Sequence, residues 1–160
     1  MNLFIRKNVY HLLDRYDVLN ESGQLTFTAD GFLSRLKGRL IMRDKAGIEI
    51  LRLRKLCNLL FANYTITAED FPDEPLAVVR QRFSFRPHFQ ITLGDDTLEL
   101  RGNLRASNFD MFRTSEPCAR ILKREMSWGD TYILSLSDID AAPVYAALTI
   151  ALDNALFHNR

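Results

Sequence analysis

Arg52 and Arg54 stand two residues apart, with Leu51 and Leu53 interleaved. In an extended chain successive side chains point to opposite faces, so the two guanidinium groups share one face and the leucines the other. Arg80 and Arg82 repeat this arrangement around Val79 and Gln81. Guanidinium forks bind phosphate oxygens bidentately. If the two segments are neighbours, their arginines form a cationic patch suited to an anionic lipid headgroup or another phosphorylated ligand. The competing reading places them among Glu49, Glu69 and Asp73 as ordinary cross-strand charge pairs on a solvated surface.

Other chemistry is harder to build from this chain. No GxSxG, HExxH, phosphate-loop or dinucleotide fingerprint is present, and His11, His88 and His158 are scattered. His88 follows Pro87 at the start of an extended segment, a position for a turn or edge role. Asp95 and Asp96 fall in a turn, where carboxylates accept backbone hydrogen bonds, and a metal needs more oxygen ligands than that turn offers. Cys57 and Cys118 are far apart without a CxxC or His-rich context, which points to two buried thiols. No catalytic residue, cofactor or metal site is therefore assigned. Leu59, Leu60 and Phe61, with Phe83, Phe85 and Phe89, are candidates for an exposed apolar rim, although aromatic side chains at strand ends more often pack inward. Stacking on single-stranded nucleic acid would need such rings exposed beside the basic segments, and nucleic acid is not an expected partner. Trp128, Gly129 and Asp130 read as a structural corner.

The elements that must position these residues are mostly strands. Short alternating segments bounded by Gly, Asp, Asn or Pro run from about residue 2 to 138. The clearest hairpin joins Arg39–Asp44 to Ile48–Lys55 through a turn at Lys45, Ala46 and Gly47; Tyr16–Asn20 with Leu25–Ala29, and His88–Leu93 with Thr97–Gly102, follow the same grammar. Longer turns at Phe71–Pro75 and Ser115–Pro117 complete the set. With Leu3–Lys7 and Thr131–Ser137 this gives about twelve antiparallel strands. An open sheet of more than ~10 strands rarely stays flat, and closure removes its edges, so a closed barrel is expected. From Asp140 to Phe157 the chain is helical and apolar in every direction, broken only by Thr149, Asp153 and Asn154. A barrel of about twelve strands is too wide for its wall side chains to fill. The helix is its plug, and Asp153 then needs a partner from the barrel wall. A faint repeat also shows: Arg6, Lys7, Tyr16 and Val18 recur as Arg54, Lys55, Tyr64 and Ile66 at the same offset.

The 160 residues make one domain, 47% hydrophobic and 26% charged, which excludes a disordered or fibrous chain. A net charge of +1 favours no partner class. Arg6 and Lys7 interrupt any apolar leader, so a cytoplasmic location is expected, with peripheral contact at a membrane compatible with it. The helix is short of the ~20 apolar residues that span a bilayer.

The chain resembles the LURP-one-related family, relatives of the tubby C-terminal domain and the phospholipid scramblases. The resemblance rests on Phe4, Ile5, Arg6 and Lys7; on Tyr16, Val18 and Gly23; on Gly38, Arg39, Leu40, Asp44 and Gly47; and on Gly102. It closes with Trp128, Asp130, Thr131 and Tyr132 and the helix end Ile150–Asp153. It implies a twelve-stranded barrel around a central hydrophobic helix. Tubby domains bind phosphoinositide headgroups through basic strand residues, and the similar strand here carries Arg52, Arg54 and Lys55. It then departs into Leu56, Cys57, Asn58, Leu59, Leu60 and Phe61, which halves the basic cluster. The reading is a non-enzymatic binding or scaffold domain whose partner is an anionic headgroup or a protein. The alternatives are a carrier or enzyme using a pocket between barrel and helix, and a scramblase-like membrane function.

Overall fold

The structure is a computed structural model that describes residues 1–8, 12–34, 36–56, 61–105, 107–126 and 129–157. His11, Cys57, Asn58, Leu59, Leu60, Trp128 and His158 lie outside the described residues. Twelve strands follow in order: β1 (Asn2–Lys7), β2 (Asp14–Leu19), β3 (Leu25–Leu33), β4 (Gly38–Asp44), β5 (Glu49–Leu56), β6 (Asn63–Ala68), β7 (Phe71–Gln81), β8 (His88–Leu93), β9 (Asp96–Asn103), β10 (Asn108–Arg113), β11 (Glu116–Arg124) and β12 (Thr131–Leu136). Each pairs antiparallel with its sequence neighbour, and β1 pairs with β12 to close the barrel, Leu3 opposite Leu134 and Ile5 opposite Tyr132.

Alternation does what the sequence requires. In β5, Leu51, Leu53 and Lys55 point inward while Arg52, Arg54 and Leu56 face out; in β12, Tyr132, Leu134 and Leu136 point inward. The inward set meets α1 (Ala142–Phe157), which runs down the barrel with every residue from Tyr145 to Asn154 buried. Pro143 sits in the first helical turn, where its missing N–H has no intrahelical partner to lose. The helix starts two residues later than Asp140.

β3 and β4 cross unusually closely. Gly38 has φ +143°, and a Cβ there would fall 2.0 Å from the Phe32 carbonyl oxygen; Gly31, with φ +154°, would meet the Arg39 carbonyl oxygen at 2.2 Å. Only glycine fits both positions. The segment Phe71–Pro75, expected as a turn, is instead the start of β7. It is accommodated by register shifts against β6 on both sides of Thr67, which take up the backbone that Pro72 and Pro75 cannot pair.

Candidate functional site

Connections from odd to even strands gather at the rim where α1 ends, and there Asp153 meets the barrel wall. It accepts hydrogen bonds from Lys7 Nζ at 3.1 Å, from Tyr16 OH at 2.6 Å, and from Tyr132 OH. Next to it, Asn154 Oδ1 accepts from Lys55 Nζ at 2.7 Å and from Tyr64 OH at 2.6 Å. Lys7 lies opposite Tyr16 across β1 and β2, and Lys55 opposite Tyr64 across β5 and β6. The repeat seen in the sequence is thus two copies of one device, a Lys–Tyr cross-strand pair holding a polar residue of the helix. A third copy exists. Lys123 lies opposite Tyr132 across β11 and β12, its Nζ 3.1 Å from Asp130 and 3.7 Å from the centroid of the Phe157 ring.

The last turn of α1 carries no basic side chain of its own. Three wall ammonium groups, of Lys7, Lys55 and Lys123, lie beside side chains of this end of the helix, where its dipole favours positive charge. The ion pair with Lys7 and the two tyrosine hydrogen bonds offset the cost of burying the Asp153 charge. The tyrosine hydroxyls are locked as donors: burial and the Asp153 carboxylate push the Tyr16 and Tyr132 phenols far above their ordinary value, and burial first, then the same charge, raises Tyr64. Tyr145, near the other end of the helix, is pushed up to about 12 by burial and its contact with Cys118 Sγ. The native state therefore keeps phenolic protons that the unfolded chain releases above about pH 10. The contribution is fully present below that pH and is lost as the pH rises toward the native values. Urea unfolding should show stability falling by about 1.4 kcal/mol per pH unit for each such phenol above pH 10. Of the five tyrosines, these four should add to the phenolate absorbance mainly with the unfolding transition.

On the outside, a groove of about 910 Å³ runs across β3 to β7. Arg39 and Arg54 face each other in register across β4 and β5, and Lys37 and Arg52 lie on the same wall. Arg52 is bound to Glu49. Among the described residues, neither Arg39 nor Arg54 has an ion-pair partner, which leaves two like charges directly opposed. Phe32, Leu56, Pro72 and Pro75 supply apolar walls. A second cleft of about 660 Å³ lies between the β7–β8 connection and β9–β10, and Arg86, His88 and Arg101 line it.

Residues 1–153 match the LURP-one-related family. The chain belongs to that family. It is 22% identical over 160 residues to the uncharacterized protein YxjI of Bacillus subtilis (strain 168), covering 99% of this chain and 96% of the relative. A crystal structure of an Arabidopsis thaliana protein superposes with a TM-score of 0.65 at 13% identity, over 99% of this chain and 92% of the other. That likeness establishes the fold.

In this LURP-one-related barrel the sequence-derived basic residues separate. Arg52, Arg54 and Lys55 all line the groove, but the Lys55 ammonium turns inward to Asn154 and the Ser34 carbonyl. Alternation along β5 explains the difference, since Lys55 falls on the leucine side. Arg80 and Arg82 are exposed on β7 and just beyond it; Arg80 pairs in register with Asn63 of β6, so a full strand separates it from β5, and Arg82 bonds Gln90. The groove's own additions, Lys37 and Arg39, are visible only once the β4–β5 register is known. Of the aromatic rim candidates, Phe89 is buried, but Phe83 and Phe85 are exposed. Cys118 is half-buried, its Sγ 3.5 Å from the Met111 carbonyl oxygen. Among the described residues no helix is long and apolar enough to cross a membrane, and no group of three or more His, Cys, Asp or Glu side chains could hold a metal ion.

Proposed function

We propose that this chain is a non-enzymatic binding domain whose β3–β7 groove takes a phosphorylated anionic ligand of the lipid-headgroup type. The observation that carries the reading is the unpaired Arg39–Arg54 couple. Two guanidinium groups directly opposed across the strands, with no ion-pair partner among the described residues and Glu49 acting on Arg39 only at longer range, repel each other, and a phosphate between them removes that repulsion while accepting several charge-assisted bonds. The groove volume is in the range of small-molecule sites, and its apolar walls suit the glycerol or ring portion of a headgroup. Withdrawing α1 into a bilayer, as a scramblase-like role would need, would strip Lys7, Tyr16 and Tyr132 of their shared partner.

Calorimetric titration with inositol hexakisphosphate and with a soluble glycerophosphoinositol bisphosphate tests this. Arg39→Glu combined with Arg54→Glu should weaken binding on the order of 100-fold, from the loss of two charge-assisted contacts. The reading fails if the unaltered protein binds neither probe at low salt, or if the double variant binds as well.

A further inference from the structure

The net charge of +1 conceals a separation between the two ends of the barrel. At the rim where α1 ends, Lys37, Arg82, Arg86, Arg105 and Arg124 are exposed, and none has an ion-pair partner among the described residues. Of the carboxylates at that rim, Glu125 and Asp130 are engaged with the buried Lys123, and Asp14 accepts from the Leu33 N–H. The opposite rim is acidic. Its turns carry Glu21, Glu69, Asp70, Asp95, Asp138 and Asp140, all exposed, against the single lysine Lys45 among the described turn residues.

Apolar side chains stand among the cations. In the β7–β8 connection Phe83 is 84% and Phe85 103% exposed, set between Arg82 and Arg86. Leu12, 104% exposed, projects from the β1–β2 connection of the same rim, and Leu104 and Met126 from two others. An aromatic ring held wholly in water, with an arginine on each side, has the composition of an interfacial anchor: the rings enter the acyl boundary and the guanidinium groups stay with the phosphates. The opposite rim also exposes Ile48, Phe71 and Ile139, but among carboxylates that an anionic surface repels.

We infer that the rim bearing Phe83, Phe85, Arg82 and Arg86 docks on the surface of an anionic bilayer, with the barrel axis steep to the membrane and the acidic rim turned away. Charge complementarity selects the partner, since a neutral surface gives the five unpaired cations nothing to bind. Among the rim's cations only Lys37 also lines the β3–β7 groove, and the inference does not depend on what the groove binds. Docking would bring the groove's upper end, at Lys37 and Leu56, to headgroup level.

Sedimentation with vesicles of phosphatidylcholine alone, and of phosphatidylcholine with about one-third phosphatidylserine, separates the two surfaces. The protein should partition onto the serine-containing vesicles, more weakly as salt is raised, and hardly at all onto neutral ones. Phe83→Ser with Phe85→Ser should reduce that partition at least tenfold. Arg82→Glu with Arg86→Glu should reduce it by roughly fivefold or more per arginine. Both variants should keep the thermal transition, because all four side chains are exposed. The groove variant Arg39→Glu with Arg54→Glu should still sediment with phosphatidylserine vesicles, so failure of the groove reading and failure of the rim reading give different results. Absence of sedimentation at low salt overturns the inference, as does unchanged partition of the phenylalanine variant, which would leave the rim as a surface for a protein or for nothing.

Discussion

Leu148→Asp is expected to yield no folded protein. Leu148 is 2% exposed and sits near the middle of α1, with the barrel wall around it. The substitution removes an apolar side chain whose loss alone costs about 2–5 kcal/mol, and it places in the interior a carboxyl group with no arranged partner. Together these match or exceed the ~5–15 kcal/mol by which a domain of this kind is stable. Far-UV circular dichroism should show no cooperative transition, and the chain should collect in the insoluble fraction on expression. Leu148→Met, which conserves volume, should fold with a loss below about 1.5 kcal/mol. A soluble, cooperatively unfolding Leu148→Asp protein would mean that the helix does not occupy the barrel.

Asp153→Ala has the second largest expected effect. It leaves the Lys7 ammonium and the Tyr16 and Tyr132 hydroxyls without their common acceptor, in a part of the core that water does not reach freely. Removing one member of a buried ion pair costs about 3–5 kcal/mol, because the surviving charge stays unpaired. Urea denaturation should show the unfolding free energy falling by that amount, through a lower midpoint at constant m. The loss belongs to the stranded partners rather than to the carboxylate itself. Replacing the group together, with Lys7→Met, Tyr16→Phe, Tyr132→Phe and Asp153→Leu, should recover most of the stability. Asn154→Ala should cost less than Asp153→Ala, since Lys55 retains the Ser34 carbonyl oxygen as an acceptor.

The strands were legible because a barrel wall buries one face only, so each writes its alternation into the sequence, the start of β7 excepted. The helix was legible for the opposite reason, having no exposed face to encode. Phe71–Pro75 read as a turn because two prolines in five residues ordinarily end a strand, and only the shifts against Thr67 let β7 begin there. Two of the Lys–Tyr pairs showed as a repeat. The third did not, since Lys123 precedes its arginine whereas Lys7 and Lys55 follow theirs; the shared signal is the nine-residue step from each lysine to its tyrosine. The groove was half legible. Arg52 and Arg54 follow from alternation in one strand, but the meeting of Arg54 with Arg39 depends on inter-strand register, which the β4–β5 hairpin sets through a shift at Met42 and Arg43 that no local pattern announces. Lys55 lines the same groove as Arg52 and Arg54, but the pleat turns its ammonium inward, which adjacency along the chain does not announce.

The central claim is that the like-charged Arg39–Arg54 couple is a site waiting for an anion. Thermal unfolding with and without inositol hexakisphosphate addresses it directly. At a ligand concentration about 100 times its Kd, the unaltered protein should gain roughly 5–10 °C in Tm, following mass action on the native state. The variant carrying Arg39→Glu and Arg54→Glu should have a similar Tm without ligand and gain no more than about 2 °C at the same ligand concentration. An equal rise in both proteins, or no rise in either, would contradict the assignment of the groove.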